Sequence, residues 1–297
     1  MIKRTLMFSN PAYLSHANRQ LVIDLPGEDN KRTVPIEDIG VVVLENQQIT
    51  ISHSCIAALL QNNVAVISCD STHMPTGLIL PLDGGQTQSE RFRYQIEASV
   101  PLKKQLWQQT IQQKIYNQAR VLEDTGLQVD NMYYWAKSVR SGDPDNYEAR
   151  AAAYYWQHIF REFFDFNRHR AGDPPNNLLN YGYAILRAVV ARGLVSSGLL
   201  PTFGIFRRNK YNAYCLADDI MEPYRPYVDR MVYNMLSEGL NCNELDTALK
   251  MRLLQLPQVD VQFEDITSPL LVAVSRTTAS LARCFEGVVR KINYPTL

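Results

Sequence analysis

Between residues 81 and 88 the chain changes its hydrophobic period, and that change leaves few architectures open. Upstream, short apolar runs alternate with turns. The runs at 5–8, 20–23, 32–36, 40–44, 64–68 and 77–80 read as strands, and Gly40-Val41-Val42-Val43-Leu44 is the strongest, β-branched and apolar. One helix is expected at 52–61, where Ile56, Leu59 and Leu60 fall at helical spacing. The stretch Pro81-Leu82-Asp83-Gly84-Gly85-Gln86-Thr87-Gln88 reads as a linker, proline and two glycines followed by polar residues. Beyond it the period becomes helical. Leu102, Leu106, Thr110, Ile111 and Ile115 space along one face, and helices are expected near 129–140, 144–166, 177–195, 213–221, 226–238, 243–254 and 268–292. The expected fold class is α+β, a small β-rich N-terminal domain over 1–85 followed by a larger all-α domain over 86–297. A chain of 297 residues has room for both.

Composition narrows the partners. Lys and Arg together number 30, and so do Asp and Glu. A neutral chain does not coat nucleic acid indiscriminately, although a local basic groove remains compatible with that total. The five cysteines include no CxxC pair, which points to free thiols in a reducing compartment. Met1-Ile2-Lys3-Arg4-Thr5-Leu6 lacks the apolar stretch of a signal peptide, and no run approaches the roughly 20 apolar residues of a membrane span. A soluble, cytoplasmic protein without a membrane partner is expected. The five histidines show no metal-ligand spacing, and no serine-hydrolase or cysteine-protease signature is present.

The chemistry concentrates between Pro174 and Asp229, where short polar clusters interrupt apolar helical sequence. No glycine-rich phosphate loop accompanies them, which favours a carboxylate site acting on phosphodiesters over a nucleotide-binding fold. Asp219 and Glu222 share a helix face at i, i+3 next to Asp218, and oxygen-rich carboxylate sets are the usual ligands of Mg²⁺ or Mn²⁺. The same cluster also reads as a solvated helix end beside Arg225 and Arg230. Glu148 lies four residues before Ala152, on the inward stripe that continues through Tyr155, Ile159 and Phe163. Asp143-Pro144 reads as the start of that helix, N-cap and first position. Glu148 then either serves a site or pairs with Arg150 or Lys137. Asn177, Asn180 and Tyr181 either present amides and a phenol to a phosphate backbone or cap a helix and fill a core. Arg207, Arg208 and Lys210, interleaved with Asn209, Tyr211 and Asn212, are DNA contacts or plain surface charge.

Three motifs carry a resemblance. Asn177-x-x-Asn180-Tyr181-Gly182-Tyr183, Gly204-Ile205-Phe206-x-x-Asn209 and Asp218-Asp219-Ile220-Met221-Glu222-Pro223-Tyr224-Arg225-Pro226 resemble the CRISPR-associated integrase family, the universal first Cas protein of spacer acquisition. The last motif and the length resemble the variant found beside type II RNA-guided effector loci. The order of elements matches over nearly the whole chain. The resemblance implies a homodimer joined mainly through the 1–85 domain, and a catalytic, DNA-binding 86–297 domain. It implies assembly with a small ferredoxin-like second Cas protein, and double-stranded DNA, both prespacer and CRISPR repeat, as substrate. The implied reaction joins 3′-hydroxyl ends to the repeat by transesterification, with Mg²⁺ or Mn²⁺ as cofactor. The family's metal ligands, a Glu, a His and a second acidic residue, fall on Glu148, Arg207 and Glu222. Asn177, Asn180, Tyr181, Arg208 and Arg225 are the implied DNA contacts.

The middle position departs from the family. Arginine stays protonated and offers no lone pair, so Arg207 marks the site without serving as a ligand. A guanidinium there is expected to pair with Glu148 and Glu222. The alternative function is therefore a catalytically weakened subunit that binds DNA and assembles. A stand-alone metal nuclease of branched DNA is a third reading.

Overall fold

The computed structural model describes residues 3–82, 87–169, 171–263 and 266–297. Among the described residues the N-terminal part holds eight strands and one α-helix, with a 3-10 turn at Ile36–Asp38. They are β1 (Arg4–Phe8), β2 (Tyr13–Ala17), β3 (Gln20–Asp24), β4 (Arg32–Pro35), β5 (Ile39–Leu44), β6 (Thr50–Ile51), α1 (His53–Gln61), β7 (Ala65–Cys69) and β8 (Pro75–Ile79). The strands form two four-stranded sheets, β1-β5-β7-β8 and β4-β3-β2-β6. In the first, β1, β5 and β7 run parallel and β8 returns antiparallel. Continuous apolar sequence is what a parallel strand buried on both faces requires, and β5 and β7 have it.

The period of two along β5 and β7 divides the molecule's core. Val42, Val64 and Val66 pack with Leu14, Leu21, Ile36 and Leu59 between the sheets and α1. Val41, Val43, Ala65 and Ile67 turn the other way and join the core of the helical part. Their cover is α6 (Asn176–Ser196), which packs on β7 and β8. The sheet face that a β-rich segment of this size cannot bury by itself is thus covered within the chain, so an uncovered face no longer argues for a second copy there. The boundary expected at residue 85 falls at Asp83-Gly84-Gly85-Gln86, outside the described residues.

The helical part comprises α2 (Gln88–Glu97), α3 (Val100–Asp124), α4 (Asp130–Ser138), α5 (Tyr147–His158), α6, α7 (Cys215–Ile220), α8 (Arg225–Ser237), α9 (Thr247–Leu253) and α10 (Leu270–Phe285). It is not wholly helical. Strands β9 (Asp260–Phe263) and β10 (Ile266–Pro269) form an antiparallel hairpin between α9 and α10. The expected helix at 144–166 is shorter, and its start differs. Asp143 has φ 50°, and its carboxylate accepts from the Tyr147 and Glu148 amides at 3.0 and 2.9 Å, but the N-cap position is Asn146, so Asp143 is not the N-cap and Pro144 does not open the helix. At 21 residues, α6 is long and apolar enough to cross a membrane by length and composition, contrary to the run-by-run reading. Most of it is buried inside the protein, and its Arg192 guanidinium donates to the Asn63 carbonyl of the β-rich part.

Candidate functional site

Helix α3 packs against α5, α8 and the 3-10 turn Glu222–Tyr224, so one of its faces looks into a junction of three elements. On that face, one turn from Ile111, stands a lysine. Lys114 is 9% exposed, and an ammonium so placed needs anionic partners. It has two. Its Nζ lies 2.7 Å from Glu148 Oε1 and 2.7 Å from Glu222 Oε2. The two carboxylate oxygens are therefore no farther apart than twice that distance. Glu148 sits in the first turn of α5, where the helix dipole favours a negative charge.

Glu222 is the hub. Its second oxygen accepts from Arg207 Nη2 at 2.5 Å and from Arg225 Nε at 3.2 Å. Burial by itself would raise this carboxyl, yet Arg225, Lys114 and Arg207 together hold it well below the usual carboxylate range. Burial works against Lys114 too, and the two glutamates outweigh it, so the lysine stays charged. Arg207 also reaches the Asp218 carbonyl at 2.9 Å and Asp219 Oδ1 at 2.8 Å through Nη1. The Asp219 carboxylate accepts from the Phe206 amide at 2.8 Å and the Arg207 amide at 3.2 Å, which ties the 204–208 loop to α7. Burial pushes the Asp219 carboxyl up to about 6 against these donors. Gly204 is required at this junction. A Cβ there would lie 2.6 Å from the Arg207 carbonyl oxygen and 2.7 Å from Asp219 Oδ2.

The expected residues are thus partly gathered and partly dispersed. Glu148 and Glu222 meet, but across Lys114, and Arg207 pairs with Glu222 and Asp219 rather than with Glu148. The Asp218 carboxylate turns away to Arg187, 2.6 Å from its Nε, and only the Asp218 backbone carbonyl touches the centre, through Arg207. Tyr181 is fully buried beside Met7, which removes it from any DNA surface. Asn177 donates to the carbonyls of Cys242 and Asn243, so it fastens a loop. Asn180 Oδ1 accepts from Arg168 at 2.8 Å. Arg225 is turned inward onto Glu222 and the Tyr183 ring, its guanidinium carbon 4.5 Å from the ring centroid. Among the five expected DNA contacts, Arg208 is the exposed one.

Arg208 has suitable company. Phe206 stacks on Trp107 with ring centroids 4.2 Å apart and planes within 1°, and Phe206 is 52% exposed. Lys103, Lys104 and Arg208 line the same hollow, and among the described residues no acidic one does. Cations around an exposed aromatic face suit a nucleic-acid backbone with unstacked bases. Sequence reading missed Lys103, Lys104 and Trp107, although the Lys103-Lys104 pair one turn before a tryptophan was a usable signal.

The donor set does not fit a resident divalent ion. Among the described residues, no group of three His, Cys, Asp or Glu side chains is placed to hold one. An ammonium lies between the two glutamates, and a guanidinium holds the third position. The physical cause is charge: three cations already satisfy Glu222.

A second buried cluster adjoins the first. Tyr155 donates to Asp229 Oδ2 at 3.0 Å, and Tyr183 donates to Oδ1. Burial pushes the Asp229 carboxyl up to about 7, against both phenols. Below that pH the folded protein keeps a proton that an unfolded aspartate, ionising near ~3.9, has lost. The folded state binds more protons between about pH 4 and pH 7, so this group lowers stability as pH rises through that window. Asp229→Asn removes the titration. From about pH 5 to about pH 8 the parent should lose about 2 to 3 kcal/mol relative to the variant, read from urea unfolding at each pH. Parallel stability profiles for the two proteins would exclude this assignment.

The model of the family described as CRISPR associated protein Cas1 matches residues 6–247. A CRISPR-associated endonuclease Cas1 of Neisseria meningitidis serogroup C (strain 8013) is 39% identical over 282 residues, which cover 94% of this chain and 91% of that protein. Among solved structures, a casposase bound to integration product superposes with a TM-score of 0.80 at 18% identity, over 99% of this chain and 93% of that one. A chain of a Cas6-RT-Cas1–Cas2 complex superposes with a TM-score of 0.74 at 21% identity, over 99% of this chain and 36% of that longer one. These two share the fold. With most of its length inside the family's pattern and a relative alike from end to end, this chain belongs to the Cas1 family of CRISPR-associated proteins.

Proposed function

We propose that this chain is a DNA-binding subunit of CRISPR adaptation whose own strand-joining centre works weakly. The observation that carries the reading is the pairing of Glu222 with Arg207, at the position where the motif resemblance implies a histidine ligand. Lys114 completes the charge balance from the other side. The fold, the paired placement of Glu148 and Glu222, and the names of the relatives support integrase-type chemistry, joining 3′-hydroxyl ends of short duplex DNA to a CRISPR repeat. The cations around Glu222 oppose uptake of Mg²⁺ or Mn²⁺ by the chain as it stands. In this reading the chain forms a homodimer and assembles with a Cas2-type companion, as the Cas1–Cas2 neighbour suggests. The half-exposed outer side of β2, with Tyr13 47% exposed, offers a surface for the dimer. All five cysteines are free and buried, which suits a reducing cytoplasm.

The chemistry follows from this chain's own groups. Lys103, Lys104 and Arg208 neutralise backbone phosphates, so affinity should fall as salt rises. Phe206 supplies a face for an unpaired base beside the centre. Arg207, held by Asp219 and Glu222, offers a fixed positive charge near the phosphate but no Lewis acidity.

The test mixes the purified chain with its Cas2-type companion, a short DNA duplex and a supercoiled repeat plasmid in Mn²⁺ or Mg²⁺. Salt-dependent duplex binding, a dimer by light scattering and little joined product are expected. Absence of DNA binding removes the DNA-binding subunit. Robust metal-dependent joining by the unaltered chain removes the weakened centre and restores a fully competent integrase.

A further inference from the structure

A cleft of about 630 Å³ opens on a different face of α3 from Lys114, between α3, α4 and the segment after α10. Gln109, Gln112, Gln113 and Tyr116 recur at i, i+3, i+4 and i+7 and so line one stripe. The opposite wall is fastened. The Gln109 amide donates to the Arg290 carbonyl at 2.9 Å, and its oxygen accepts from the Ile292 amide at 2.8 Å. Thr277 Oγ1 donates to the Asn293 carbonyl at 2.6 Å, and the Thr296 amide donates to Gln262. The cleft is therefore built into the fold.

Its lining has a definite chemistry. Lys137, Arg290 and Lys291 are exposed, and among the described residues none of them is paired with a carboxylate. Among the described residues, none that lines the cleft is acidic. At one end the Tyr116 and Tyr133 rings meet at 5.3 Å, and Tyr116 is 38% exposed. Unpaired cations draw an anion and aromatic faces draw a flat ring, while the Gln112 and Gln113 amide nitrogens are held by the Val139 carbonyl and Asn117. The volume lies within the roughly 300–1,000 Å³ of small-molecule sites. We infer that this cleft is a second nucleotide site, separate from the Glu148–Glu222 centre, that takes a nucleoside phosphate with its base against Tyr116 and its phosphate at Arg290 and Lys291. The same chemistry is offered by a free nucleotide or by the end of a DNA strand.

Titration calorimetry of the full chain with thymidine monophosphate, inorganic phosphate and a short oligothymidine separates these cases. Saturable binding of the nucleotide is expected, clearly tighter than that of phosphate. Tyr116→Leu should weaken it about tenfold, the scale of one base–aromatic stack. Arg290→Gln with Lys291→Gln, both on the surface, should weaken nucleotide and oligonucleotide alike and lessen the salt dependence. Phe206→Leu should leave binding of the mononucleotide unchanged, because Phe206 is exposed on a different part of the surface and does not line this cleft. Measured as the part of binding that Tyr116→Leu weakens, tighter binding of the oligonucleotide than of the mononucleotide assigns the site to a strand end, and the reverse order assigns it to a free nucleotide. Either order supports the site. Equal affinity for phosphate and nucleotide, no saturable binding, or loss of nucleotide binding in Phe206→Leu would overturn it. DNA binding that fails everywhere while the nucleotide still binds rejects the proposed subunit role and leaves this inference standing.

Discussion

Arg207→His should raise Mn²⁺-dependent strand joining by this chain on the order of 10²- to 10³-fold. That is the scale of several kcal/mol of transition-state charge stabilisation regained with a metal. The reason is local. Arg207 Nη1 and Nη2 now hold Asp219 and Glu222, and neither nitrogen has a lone pair to give. Histidine at this place supplies a donor nitrogen and removes one of three positive charges around Glu222. Mn²⁺ binding, followed by calorimetry, should strengthen in parallel, while affinity for short duplex DNA changes little. The same exchange should cost stability without metal, because Glu222 loses a guanidinium and Asp219 its only charged partner among the described residues. Arg207→Ala should recover less joining, since it clears the blocking charge without providing a ligand. Equal, robust joining by parent and Arg207→His would sink the idea and would point to Asp219 or another donor as the ligand.

What the sequence disclosed, and what it hid, follows from the range of the interactions. The strands β5 and β7 were legible because their apolar runs are local and uninterrupted. The long helices α3 and α6 were legible because a period near 3.6 persists over many turns. The hairpin β9–β10 was not, since two four-residue strands between helical stretches give too short a pattern to separate from helix. The end of α5 near His158 was missed because Phe160, Phe163, Phe164 and Phe166 prolong an apolar pattern that the chain uses for a cluster of rings instead. In the site, Glu148, Arg207 and Glu222 came from motif positions, and their polarity marked them. Lys114 left no mark. A lysine one turn from isoleucine on a long helix reads as a stem lying along the surface with its charge in water. Only the folded path of α5 and of the Glu222–Tyr224 turn reveals that its ammonium is enclosed. Tyr181 erred in the opposite direction, for a phenol in a polar motif looks available until β1 covers it.

Lys114→Met should destabilise the protein by about 3 kcal/mol, the lower end of what breaking a buried ion pair costs. The lower end applies because Glu222 keeps Arg207 and Arg225, and because the Glu148 side chain is 23% exposed and regains some water. Methionine fills a similar volume, so the loss reports charge rather than a cavity. With the ammonium gone, Glu148 and Glu222 face each other as like charges, and protonating or neutralising one should relieve the strain. The double variant Lys114→Met, Glu148→Gln should therefore recover much of the stability, and the coupling in a double-mutant cycle measures the Lys114–Glu148 contact. A divalent cation should relieve it as well. Mn²⁺ should raise the urea midpoint of Lys114→Met in a concentration-dependent way, because a ligand that binds only the folded state stabilises it by mass action. The parent, whose ammonium already stands between the two carboxylates, should show no such rise. An Lys114→Met protein as stable as the parent, with no response to Mn²⁺, would mean that Lys114 does not occupy a cation's place, and the electrostatic account of the weakened centre would then rest on Arg207 alone.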